Sequence, residues 1–238
     1  MTEWAVKRFW SAAEIAAEAP DRHAVLLDGK PVHSPAGARL TLPTVALARA
    51  VADEWDAQSE RIDPAAMPLT RTANSAIDTV AEHRAAVEAQ LAEYARTDLL
   101  CYRADRPLGL VIRQAELWDP WLDWAARTHG ARLSVTQGVM PVAQHEADIA
   151  RLAQAMEGMN HFELAGFHEL VTLSGSFVLA LATAAGELSH DAAWDLSRLD
   201  EIWQTEQWGR DDEAEELAAR KAASFATAWR FHALSNEA

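Results

Sequence analysis

A chain of 238 residues has room for one large domain or two modest ones, and 50% hydrophobic with 24% charged residues is the balance of a folded globular protein, not of a disordered segment. Its 21 Lys and Arg against 36 Asp and Glu give a formal net charge of −15, an excess of acid that repels phosphate backbones and anionic lipid and so argues against nucleic-acid binding and electrostatic membrane docking. The single cysteine, Cys101, permits no internal disulfide and no multi-cysteine metal site, which fits a reducing compartment.

Residues 1–20 carry Glu3, Glu14 and Glu18 and no continuous apolar run of the kind a secretory signal requires, so nothing in them directs export. Residues 4–10 read as a strand with Trp4, Val6 and Phe9 or Trp10 on one face. Residues 23–28, 31–34 and 38–42 read as further short strands, separated by the turn formers Asp28-Gly29 and Pro35-Ala36-Gly37. From Thr44 the period changes, and Leu47, Ala50, Val51, Glu54 and Trp55 recur at helical spacing behind a Thr44 cap. Pro64 and Met67-Pro68 then interrupt the pattern in a linker.

Beyond Pro68 the periodicity predicts helices over residues 70–80, 82–97, 111–129, 144–159, 162–185, 191–208 and 211–234. Residues 131–142 are the exception, an extended excursion in which Leu133, Val135 and Val139 accompany Gly138 and Pro141. The uncharged stretch 170–186 is short for a bilayer span and contains Thr172, Ser174, Gly175, Ser176 and Thr183, so it reads as a buried helix and no membrane insertion is expected. The expected fold class is α+β: a small β-containing N-terminal domain, residues 1–68, followed by a larger, mainly α-helical C-terminal domain, residues 69–238, with segregated rather than alternating elements.

Chemical constellations are sparse. His168-Glu169 opens a run, HELVT, that lacks the second histidine of a zinc-binding HExxH pair, and His161 with His168 reads as two ordinary histidines. No glycine-rich phosphate loop occurs, and Ser174-Gly175-Ser176 lacks the frame of a nucleophile elbow. Cys101 sits among apolar neighbours as a small hydrophobe. These readings predict no catalytic residue, no metal and no cofactor, and the competing expectation is a soluble hydrolase, metal-dependent or metal-free, whose Glu and His side chains meet only on folding.

Two features remain. Ten tryptophans against two tyrosines exceed what an ordinary core asks for; Trp118, Trp121 and Trp124 recur every three residues and read as packing, while an exposed subset would suit a protein interface. The run from Asp211 to Glu216 opens a helix, where carboxylates complement the dipole, but Asp200, Glu201 and Glu206 gather further acid around Trp203, Trp208 and Gly209.

Taken in order, Lys7-Arg8-Phe9-Trp10, Leu27-Asp28-Gly29-Lys30-Pro31, Ser34-Pro35-Ala36-Gly37 and Leu42-Pro43-Thr44 form a series of short motifs. It continues through Glu54-Trp55-Asp56-Ala57-Gln58, Met67-Pro68-Leu69-Thr70, Ala76-Ile77-Asp78, Tyr94, Thr97-Asp98-Leu99-Leu100, Trp118-Asp119-Pro120 and Ser174-Gly175-Ser176 to Gln204-Thr205-Glu206-Gln207-Trp208-Gly209. In these motifs the chain resembles, over nearly its whole length, the assembly chaperone family for the F1 sector of ATP synthase, in the member that handles the alpha subunit.

The resemblance implies an ATP-independent chaperone, not an enzyme, that binds the free alpha subunit and shields the surface later used against the beta subunit. It also implies a functional acid near the C-terminal Trp-Gly motif, matched here by Glu206 and next by Glu201, with Gln204, Trp208 and Gly209 completing the partner-binding set. On a helix Glu201, Gln204 and Trp208 share one face while Glu206 points away from it, so only one of the two acids is expected there. Eukaryotic members of that family work in the mitochondrial matrix behind a presequence; the start of this chain close to Arg8-Phe9-Trp10 implies a bacterial cytoplasmic protein.

Overall fold

The computed structural model of the chain describes residues 7–138 and 140–236. Two compact units emerge: one comprises the chain up to Arg84 with Asn160–Gly166 and the segment from Arg230 onward, the other Ala85–Met159 with Phe167–Trp229.

The first unit is organised around β2 (Arg22–Leu27), whose His23, Ala24, Val25 and Leu27 are buried. It pairs antiparallel with β1 (Ala13–Ala19), β3 (Lys30–Pro31) and β4 (Thr41–Leu42). Asp28-Gly29 joins β2 to β3 with φ of 47° and 76°, the two left-handed residues that a tight hairpin turn demands. Strand β1 was not expected: its sequence, AEIAAEA, is rich in helix formers. It is nevertheless extended because its backbone pairs with β2 from Ala13–Leu27 to Ala19–Arg22, with an irregularity between Ala17 and Ala19, and ladder hydrogen bonding overrides weak local propensity.

Of the strand expected over residues 4–10, Trp4 and Val6 lie outside the described residues. Lys7 makes only an isolated bridge to Arg61, and the segment is instead anchored by Arg8, which donates to the carbonyls of Trp10, Ser11, Asp56 and Gln58. The strands expected over 31–34 and 38–42 shorten to β3 and β4, with one bridge between His33 and Arg39.

Helix α1 (Val45–Asp56) begins as expected at Thr44, whose hydroxyl accepts from Leu47 N at 3.0 Å and donates to the Leu234 carbonyl. Its Leu47, Ala48 and Val51 are buried. The linker contains a single 3-10 turn at Pro64–Ala66, and α2 (Pro68–Ser75) runs into one π-helical turn at Ala76–Val80.

The remaining helices are α3 (Arg84–Arg96), α4 (Leu108–His129), α5 (Glu146–Gln154), α6 (His161–Ser174), α7 (Phe177–Ala184), α8 (His190–Ser197), α9 (Leu199–Trp208) and α10 (Asp212–Leu234). Between α3 and α4, β5 (Tyr102–Arg103) pairs in parallel with β6 (Thr136–Gln137), the part of the excursion expected over 131–142 that is a strand; Val139 lies outside the described residues. The helix expected over 162–185 is two: Gly175, at φ 70°, ends α6, and Ser176 caps α7 by accepting from Leu179 N. The helix expected over 191–208 likewise breaks at Arg198. The uncharged stretch is thereby divided, and among the described residues no helix is long and apolar enough to cross a membrane. The architecture is α+β, a small N-terminal sheet followed by a mostly helical remainder.

The acidic members of the ordered motifs serve as joints within each unit. Glu54 on α1 accepts from Leu69 N, Thr70 N and Thr70 Oγ1, each at 2.7 Å, and so supplies the start of α2 with acceptors for its free N–H groups. Asp28 accepts from Ser11 N and Ala12 N, and Asp78 from Ser34 Oγ and Ala36 N. Asp98 is fully buried and accepts from Leu100 N, Ser176 Oγ and Val178 N, tying the segment after α3 to the break between α6 and α7.

Candidate protein-binding site

Helix α9, LDEIWQTEQW, buries Leu199 and half-buries Ile202 and Trp203, which leaves Glu201, Gln204, Thr205, Glu206, Gln207 and Trp208 exposed. It stops at Gly209, whose φ of 95° is open to glycine and strained for other residues, and whose N–H donates to the Thr205 carbonyl. Trp208 therefore ends the helix 80% exposed, the most exposed large hydrophobic residue among the described residues.

Glu201, Gln204, Glu206, Trp208 and Gly209 all line one open groove of about 530 Å³, completed by Trp194, Asp195 and Arg198 from the α8 side and by Asp211, Glu215 and Ala218 at the start of α10. Both candidate acids border it, because the groove wraps the C-terminal end of α9 instead of following one helix face. They differ in their partners. Glu206 Oε2 accepts from Arg113 Nη1 of α4 at 2.5 Å, and the same guanidinium lies 5.9 Å from the Trp203 ring centroid. Hydrogen bonding to Arg113 holds the Glu206 carboxyl below its ordinary value. Glu201 instead pairs with Arg198, at 3.2 Å. Glu215 pairs with Arg210, and Asp211 accepts from Glu213 N and Ala214 N as a helix cap.

Most tryptophans pack, as expected. Trp10, Trp118 and Trp124 are buried, Trp118 donates to the Leu196 carbonyl, and Trp229 stacks on His190 at 4.3 Å. Among the described residues Trp208 is the exposed exception.

Sequence reasoning did not find a second groove, of about 580 Å³, lined by Leu117, Pro120 and Trp121 of α4 and by Leu188, Leu196, Leu199 and Ile202. Its only signature in the sequence is the i, i+4 pair Leu117 and Trp121, indistinguishable from core spacing until α8 and α9 are placed beside α4. The two grooves share Asp195 and Ile202.

Elsewhere the chemistry is muted. Burial pushes the Cys101 thiol up to about 12, far from a reactive thiolate. Burial, with a smaller contribution from Arg84, lowers His161 from its ordinary value. Among the described residues no group of three His, Cys, Asp or Glu is placed to hold a metal ion.

A family model described as the ATP12 chaperone protein matches residues 7–126, half of the chain. The chain is similar to the crystal structure of Atp12 from Paracoccus denitrificans, with 48% identity and a TM-score of 0.93, over 98% of this chain and 100% of that one. It is equally similar to a mutant of P. denitrificans Atp12p, at 47% identity and a TM-score of 0.93 over 99% and 100% of the two chains. Among curated proteins it is 27% identical to protein atp12, mitochondrial, of Schizosaccharomyces pombe over 205 residues, 81% of this chain and 70% of that relative. With the family model spanning the sheet, α1–α3 and most of α4, and solved Atp12 chains superposing along essentially the whole length, this chain belongs to the ATP12 chaperone family.

Proposed function

We propose that the chain is an ATP-independent assembly chaperone of ATP synthase that binds the free F1 alpha subunit, shields its beta-contacting surface and hands it on for F1 assembly. Family membership supports the assembly role. The observation that carries the binding reading is Trp208: a large apolar side chain displayed at a helix end beside Glu201 and Glu206, bordering an open groove. Tryptophan and flanking charge are what a protein interface uses, apolar area for affinity and charge for orientation.

In this reading the client's exposed apolar surface is covered over roughly 800 Å² per partner, enough for a specific complex. The net charge of −15 steers a client bearing basic groups toward the chain and speeds encounter. Release follows from competition, as the beta subunit claims the same client surface. The site of action is the bacterial cytoplasm, the counterpart of the mitochondrial matrix for the eukaryotic relatives.

The test is co-purification of this chain with the F1 alpha subunit, expressed alone and then together with beta. A complex that forms with free alpha and disappears as beta joins it is the expected result. Soluble alpha that is never captured would overturn the reading.

A further inference from the structure

Each glutamate of the groove around Trp208 already holds an arginine of the same chain: Glu201 has Arg198, Glu215 has Arg210 and Glu206 has Arg113. Two of these pairs are local in sequence. The third is not, since Arg113 reaches Glu206 from α4, and its position is set by a two-point contact between helices. Gly109 and Arg113, one turn apart on α4, face Trp203 and Glu206, one turn apart on α9. The Trp203 ring lies so close to Gly109 that a Cβ there would stand 2.7 Å from Cη2, and the Arg113 guanidinium lies 5.9 Å from the ring centroid.

We propose that Arg113 is a placeholder for a basic side chain of the client. In the free chain it neutralises Glu206, and on binding the intramolecular ion pair is exchanged for an intermolecular one. This inference rests on the reading of the α9 groove as the client site. Arg113 and a client cation compete for Glu206, because like charges a few ångströms apart repel. The exchange is nearly isoenergetic, because the outgoing pair is solvent-exposed, with side-chain exposures of 33% and 45%, and such pairs are weak and easily opened. The guanidinium also contacts Trp203 while it is paired with Glu206. The consequence is that an apolar surface without a well-placed cation leaves Arg113 on Glu206, while a client cation gains its full pairing with Glu206 only when Arg113 is absent.

The experiment is a double-mutant cycle on the full chain, read as affinity for purified F1 alpha subunit at low and high salt. Arg113→Met keeps a side chain of similar length against Trp203 and removes the competing charge. It is expected to tighten binding roughly two- to five-fold at low salt, with the gain shrinking at high salt. In a Glu206→Gln background the same substitution should change nothing, and Arg113→Lys should bind like the parent. Weaker or unaltered binding by Arg113→Met, while the parent chain binds alpha normally, would overturn the exchange and leave the client site standing. A gain that persists in the Glu206→Gln background would also overturn it. A parent chain that captures no alpha would sink the functional reading and the exchange together.

Discussion

Gly109 and Trp203 are in direct contact: a Cβ on Gly109 would lie 2.7 Å from Cη2 and 3.4 Å from Cζ2 of the indole. Gly109 is the second residue of α4, and its missing Cβ leaves the space that the indole edge occupies. Gly109→Ala forces the indole away, and with it the half-buried side of α9. Overpacking of this kind outweighs the propensity gain, so the variant is expected to lose about 1 kcal/mol and about 2–4 °C in Tm, with a shifted tryptophan emission. A higher Tm would show that α9 adapts freely.

Charge reversal at the candidate acids should separate binding from folding. Glu206 and Glu201 are exposed and make only solvent-accessible ion pairs. Glu206→Lys, or Glu201→Lys, is therefore expected to weaken capture of the alpha subunit while leaving Tm within about 2 °C. Normal capture by both variants would remove the acids from the binding surface, and unfolding of either would reassign that residue to the scaffold.

Asp98 makes a pH-dependent contribution with a definite sign. Burial raises its carboxyl to about 6, against an ordinary 3.8, even though bonds from Val178 N, Leu100 N and Ser176 favour the ionised form. The folded state thus holds the proton more tightly than the unfolded chain. Stability from this group is fully present below about pH 4 and lost as pH rises through about 6, on the order of 3 kcal/mol. Asp98→Asn lacks this titration. The stability of the parent relative to Asp98→Asn is expected to fall between about pH 4 and pH 7 in urea denaturation; a constant difference would contradict the raised value.

Glu54 carries the start of α2. Its carboxylate accepts from Leu69 N, Thr70 N and Thr70 Oγ1, and Glu54→Ala leaves all three donors without it. The expected loss is about 2–4 kcal/mol in chemical denaturation, with Glu54→Gln, which retains one carbonyl acceptor, losing less. Equal losses would show that packing at position 54, not its acceptors, holds the helix start.

The joints explain why a series of short motifs was legible as a family while their purpose was not. Glu54 and Thr70, or Asp98 and Ser176, occur as separate pieces of pattern, and only folding shows them to be halves of one hydrogen-bonded contact.

What the amino-acid order determined by itself is what local physics controls: the Asp28-Gly29 turn, the Thr44 cap, the helical periodicity after Pro68, and the end of a helix at Trp208-Gly209. Tertiary structure decided the rest. β1 is a strand because β2 supplies its hydrogen-bond partners, and α6 and α7 part at Gly175, where the Asp98 carboxylate receives the start of the second helix. Glu206 and Arg113 meet because α9 packs on α4 at Gly109, a pairing of residues 93 positions apart that no local propensity encodes, since it arises from the burial of faces that only the folded helices bring together.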